Sequence, residues 1–103
     1  MIFEVVSGQV LLAKRRDFER LHREILMPAY DKAGIKVVLC LMTEVGNIGK
    51  FIDIYQYSDY QEYESKTSVL EKLLWETGYY DEIQKCITGS IVVELMNRFY
   101  PSD

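Results

Sequence analysis

The sequence predicts an α+β fold, a ferredoxin-like β-α-β-β-α-(α)-β chain with a four-stranded antiparallel sheet. Three observations carry this. Apolar, β-branched runs stand at the start of the chain, twice near its middle and once near its end. Helical patterns separate the first run from the second and the third from the fourth. The two middle runs are joined by Gly46-Asn47-Ile48-Gly49, a turn that makes them a hairpin.

Each element follows from local pattern. Ile2 to Ser7 reads as the first strand; Gly8 interrupts it, and Val10-Leu11-Leu12 continue it after a bulge. The first helix is expected from Lys14 to Ala33, closed by Gly34. Its apolar stripe is Phe18, Leu21, Ile25 and Ala29, spaced at three and four residues. Pro28 cannot donate a bond back to Glu24, so a kink is expected there. Met27 falls on the polar face. Strands Ile35 to Val45 and Lys50 to Tyr57 flank the hairpin turn. Ser58 is expected to cap the second helix, with Gln61 completing a capping box. Tyr60, Tyr63, Thr67, Leu70 and Leu74 line that helix's inner face. Gly78 ends it, a short third helix covers Tyr79 to Ile87, and the last strand runs from Ser90 to Phe99.

The chain has 103 residues, one domain's length, expected to span 1–103 as a single unit. Hydrophobic residues make up 49%, which excludes an intrinsically disordered chain. No stretch approaches the roughly 18 apolar residues of a membrane span. The N-terminus lacks the basic start of an export signal. Cys40 and Cys86 form neither a disulfide framework nor a zinc motif, and both read as small buried hydrophobes. The expectation is a cytoplasmic protein with no metal and no cofactor.

Net charge is −4. The basic excess gathers at Lys14-Arg15-Arg16, Arg20 and Arg23. The spacings Glu19/Arg23, Arg20/Glu24 and Asp17/Arg20 make this a charge-laced, solvated helix face. An acidic chain without a basic-aromatic stripe does not present a nucleic-acid footprint.

The strands point to self-association. A sheet with one wet face alternates polar and apolar residues. Val37-Val38-Leu39-Cys40-Leu41-Met42 does not alternate, and neither do Phe51-Ile52, Ile54-Tyr55 or Ile91-Val92-Val93. Two helices cover one face of such a sheet, so the other is expected to meet a second copy. Two sheets facing across a two-fold axis give a dimeric α/β barrel, with Val38 and Leu39 as interface candidates.

The positions of Glu4, Phe18, Pro28 and Gly34, then Glu44-Val45-Gly46 and Asp53-Ile54-Tyr55-Gln56-Tyr57, resemble the NIPSNAP-type branch of the dimeric α/β-barrel superfamily. The resemblance covers residues 4 to about 63 and rests on coincident spacing. It implies the fold and a homodimer. The chain departs from that pattern where the family often has Arg and Tyr on the first strand (Val6 and Gly8 here) and Gly before the first helix (Ala13). It departs again where the family often has His and Trp on the third strand (Asp53 and Tyr55) and Arg on the second helix (Tyr63).

Four groups are candidates for chemistry. His22, the single histidine, lies about 40° from Phe18 on a helix, inside the apolar stripe. It reads as a proton acceptor, a haem ligand or a core-edge imidazole bonded to a neighbour. Asp53 sits between two isoleucines on a strand buried on both sides. It reads as a general base, a dimer ion-pair partner or a structurally paired carboxyl. Glu4 and Glu94 have similar apolar flanks. Tyr55, Tyr57, Tyr60 and Tyr63 cluster where the third strand meets the second helix. With His22 they suit a cavity for a small apolar or aromatic molecule, or a dimer interface. Three functions follow: a homodimeric binding protein without catalytic machinery, a cofactor-independent monooxygenase, and a haem-binding or haem-degrading protein.

Overall fold

The structure, a computed structural model, describes residues 1–101. Four strands, β1 (Ile2–Val10), β2 (Lys36–Met42), β3 (Lys50–Tyr57) and β4 (Ile87–Asn97), form one antiparallel sheet in the order β2-β3-β1-β4. This is the ferredoxin-like order predicted. No helix among the described residues is long and apolar enough to cross a membrane.

The first helical stretch is a composite. A 3-10 turn at Leu12–Lys14 leads into α1 (Arg15–Leu21), a π turn (His22–Leu26) and α2 (Met27–Lys32). The Met27 N–H bonds to the His22 carbonyl, one residue wider than α geometry. Pro28 lies in the first turn of α2, where it has no donor to lose. The expected kink is thus a change of helical register just upstream of the proline. That change redirects the core stripe. Phe18 and Leu21 are buried as expected, but from the last residue of the π turn onward Leu26, Tyr30 and Ala33 join Ala29 in the core, and Ile25 is only half-buried. Met27, expected on the polar face, is also half-buried against the core.

Helix α3 (Tyr60–Glu76) is capped by Asp59, whose carboxylate accepts the Glu62 N–H at 2.8 Å. The cap is therefore Asp59, one residue beyond the expected Ser58, and Gln61 does not complete a box with it. Leu70 and Leu74 are buried, Tyr63 and Thr67 half-buried, and Tyr60 is 60% exposed. Tyr60 thus leaves the inner face assigned to it. Helix α4 (Tyr79–Ile83) is shorter than expected, and β4 starts earlier, at Ile87, because residues from there already pair with β1. On the surface Arg20 and Glu24 pair at 3.5 Å, as their spacing predicts.

Side-chain alternation separates the two sheet faces. Glu4, Val6, Phe51, Asp53, Tyr55 and Tyr57 lie towards the helices. Phe3, Val5, Ile52 and Ile54 point the other way, joined by Leu39, Leu41, Val92 and Met96 from the neighbouring strands. On that outer side Leu39, Leu41, Val92 and Met96 are 40%, 54%, 47% and 45% exposed. The helices cover β1 to β3 and leave β4 open on both sides, since Ile91 and Val93 on the helix side are also exposed. Glu94, expected to be enclosed like Glu4, is exposed.

One turn position admits glycine alone. Gly49 has φ +94°, and a Cβ there would stand 2.6 Å from the Val10 carbonyl oxygen. Val10 also donates to the Gly49 carbonyl at 2.8 Å, so the backbones cannot separate without losing that bond. Gly49→Ala is expected to lower stability by about 2 kcal/mol or more, read as the shift of a urea unfolding midpoint.

Candidate functional site

His22 opens the π turn and projects onto the sheet. Its Nε2 lies 2.7 Å from Asp53 Oδ2, and its side chain is 12% exposed against 4% for Asp53. Tyr55 donates its hydroxyl to the same Oδ2 at 3.0 Å. The Tyr30 ring stacks on Tyr55 with centroids 4.0 Å apart and planes 7° from parallel. On the other side the His22 ring packs on Phe18 at 4.3 Å. His22, Asp53 and Tyr55 therefore form a fixed polar row on an apolar floor. Burial pushes the Tyr55 hydroxyl far above its ordinary pKa, and Tyr30 and Asp53 push it further, so Tyr55 remains a donor.

His22 Nδ1 is buried and has no hydrogen-bond partner among the described residues. When Asp53 accepts the Nε2 proton, Nδ1 carries the ring's lone pair. Two cavities meet at this pair. One, ≈ 510 Å³, lies between the sheet and helices α2, α3 and α4; it is bordered by Val6, Tyr30, Tyr63, Leu70 and Ile83, with Glu4 at one side. The other, ≈ 400 Å³, opens between α1, the π turn and β2, past Met27, Cys40 and Met42. His22, Asp53 and Phe18 border both.

Glu4 forms a second polar centre. Tyr57 donates to Glu4 Oε1 at 3.0 Å and Tyr63 to Oε2 at 3.3 Å. Burial raises the Glu4 carboxyl above its ordinary 4.5, while the two tyrosine bonds pull it partly back. A carboxyl raised in the folded state favours folding most below its unfolded pKa, and that contribution fades as pH climbs through the folded value. Stability is therefore expected to fall as pH rises from about 4.5. Glu4→Gln should remove that slope and be no less stable than wild type at pH 7.5, in urea melts at paired pH values.

The structure brings together most of the residues singled out from sequence. His22, Tyr55 and Tyr63 border the inner cavity with Asp53. Tyr57 is buried and spends its hydroxyl on Glu4, whereas Tyr60 points to solvent. Asp53 is corrected as a dimer contact: it is 3% exposed and faces the helices, bonded to His22 and Tyr55. Val38 and Leu39 are exposed at 39% and 40%. Cys86 is buried as expected, but Cys40 is exposed at the mouth of the outer cavity. Burial of the sulfur, with Asp53 beside it, still pushes the Cys40 thiol up to about 12, so it is no nucleophile at neutral pH.

Tyr30 and Tyr79, both buried beside the inner cavity, were not apparent from sequence. The signal for Tyr30 was Pro28: a proline in an otherwise helical run implies a register change upstream, which turns position 30 inward.

No protein-family model matches the sequence, and no curated protein does. Solved structures do share the fold. An uncharacterised NIPSNAP domain protein from Burkholderia xenovorans superposes with a TM-score of 0.83 at 12% identity, over 100% of both chains. A NIPSNAP family protein from Agrobacterium tumefaciens does so with a TM-score of 0.83 at 13% identity, over 96% of this chain and 93% of the other. A putative antibiotic biosynthesis monooxygenase from Nitrosomonas europaea gives 0.71 at 12% identity, over 97% and 100%. The chain thus has the α+β fold that NIPSNAP proteins share with antibiotic biosynthesis monooxygenases. At these identities the likeness extends to the fold alone.

Proposed function

We propose that this chain is a homodimeric, NIPSNAP-like binding protein. It takes a small apolar or aromatic molecule between sheet and helices and reads one polar group of that molecule at His22. The observation that carries this is the buried, unpartnered Nδ1 of His22 at the edge of a largely apolar cavity of ≈ 510 Å³. That volume lies within the roughly 300–1,000 Å³ of small-molecule sites. A hydroxyl of the ligand donates to Nδ1 once a small side-chain shift uncovers that buried atom, while Leu70, Ile83 and the Tyr30 ring enclose its body. The outer sheet face and the open β4 strand support the dimer. The two free cysteines suit a reducing compartment such as the cytoplasm.

One observation favours a second reading, a cofactor-independent monooxygenase. Asp53 orients His22 as a carboxyl orients a general base, leaving the opposite nitrogen to take a proton from a phenol whose anion then reacts with O₂. Haem ligation by His22 is the third reading, and no observation beyond the histidine itself favours it. Calorimetric titration with 1-naphthol, with oxygen uptake recorded in parallel, separates these. The binding reading expects saturable heat without oxygen uptake, and tenfold or more weakening in His22→Gln. Oxygen uptake that disappears in His22→Gln, with the melting temperature unmoved, establishes the oxygenase instead. A haem Soret band that shifts on mixing and is lost in His22→Gln establishes the third.

A further inference from the structure

Two irregularities of the fold converge on one spot. The π turn begins at His22. The β2–β3 ladder shifts register between Val37 and Leu39, and the shift sets Cys40 opposite Asp53 on the helix side of the sheet. Without that extra residue the alternation of β2 would place Leu39 there. Bulges of both kinds re-aim side chains and concentrate at functional sites. Here they bring three metal-ligand types together from three elements. A ring nitrogen of His22, Sγ of Cys40 and a carboxylate oxygen of Asp53 all lie within 4.8 Å of one another.

We propose that His22, Cys40 and Asp53 bind a zinc-type divalent ion, with a fourth position open to the ≈ 400 Å³ outer cavity. The donor set is nitrogen, sulfur and oxygen, the mixture that zinc accepts. Three protein ligands plus an open position is the arrangement of its catalytic sites. Ligand atoms around tetrahedral zinc stand about 3.3–3.8 Å apart, so the 2.7 Å His22–Asp53 contact opens by roughly half an ångström and the widest separation, at most 4.8 Å, closes by up to roughly 1.5 Å, shared between two side chains. The pair is already partly dry, and the Tyr55 hydroxyl, donating to the same Asp53 Oδ2 that contacts His22, fixes the carboxylate as an outer hydrogen bond fixes a ligand. Zinc takes the Cys40 sulfur as thiolate, so binding near neutral pH expels that proton to solvent. The open position accepts water, or the hydroxyl or carbonyl oxygen of a bound molecule. This site does not require that the inner cavity hold an organic ligand.

The test uses the tag-free, full-length protein, stripped with chelator and titrated with Co(II) and then Zn(II). The expected result is one ion per chain, a Co(II)–thiolate charge-transfer band in the near ultraviolet, and proton release on Zn(II) binding in weakly buffered solution. Cys40→Ser should abolish the band and weaken Zn(II) binding a hundredfold or more. His22→Gln should weaken it similarly while leaving the far-ultraviolet circular dichroism unchanged. Cys40 is exposed, so Cys40→Ser keeps the test decisive even where a change at His22 or Asp53 impairs folding. Absence of stoichiometric binding, or binding that Cys40→Ser leaves intact, overturns the proposal.

Discussion

Leu39→Asp is expected to break the proposed dimer, of twice the 12.1 kDa chain mass, into monomers or unfolded chains at micromolar concentration. Leu39 lies on the outer sheet face with Leu41, Ile52, Ile54, Val92 and Met96, a mainly apolar surface that helices do not cover and that carries one exposed carboxylate, Glu94, opposite Val5. Burying such side chains is worth about 1.5–3 kcal/mol each. An aspartate in their midst adds several kcal/mol of desolvation in each copy. The two-fold relation doubles the effect, so a loss of a thousandfold or more in dimerisation constant is expected from roughly 4 kcal/mol. Sedimentation velocity reads it directly. Val38→Asp, at the β2 bulge, should act in the same direction. A wild-type protein that sediments as a folded monomer would contradict the dimer outright.

The second large effect is expected at Asp53. Removing its side chain leaves His22 Nε2 and the Tyr55 hydroxyl without their shared acceptor in a buried place. Breaking a buried, hydrogen-bonded pair from one side costs about 3–5 kcal/mol. Asp53→Ala should therefore unfold at a much lower denaturant concentration than wild type. Asp53→Asn, which retains an acceptor oxygen, should recover part of the loss. An Asp53→Ala protein as stable as wild type would show that the His22–Asp53–Tyr55 row does not bind the helices to the sheet.

Much of this architecture was legible in the chain itself. The unbroken apolar run Val37 to Met42 announced the strand, which is there, but not its burial: most of its side chains are exposed in the single chain. Asp53 between Ile52 and Ile54 announced a carboxyl in an apolar place, and the structure puts it there. What stayed hidden depends on single-residue insertions in regular geometry. A helix with a π turn and one without it have the same local propensities, so the switch of the core stripe from Ile25 to Leu26 and Tyr30 leaves little trace except Pro28. The β2 bulge is equally silent. It moves Cys40 from an unremarkable place in an apolar strand to the side of Asp53. The pairing of His22 with Asp53 spans 31 residues and needs the tertiary fold. Residue patterns alone could mark both groups as polar side chains in apolar surroundings, but not join them.

The helix–sheet cavity beside His22 is the proposed binding site for a small aromatic molecule. Its most direct test is NMR titration of the chelator-treated protein with 1-naphthol, following the His22 ring and the methyl groups of Leu70, Ile83, Leu39 and Ile54. Saturable shifts are expected at His22, Leu70 and Ile83, with Leu39 and Ile54 unmoved and the His22 ring resonances moving in step with the methyls. Shifts confined to Leu39 and Ile54, or no saturable shift at His22 with 1-naphthol or with a series of larger phenols, would contradict it.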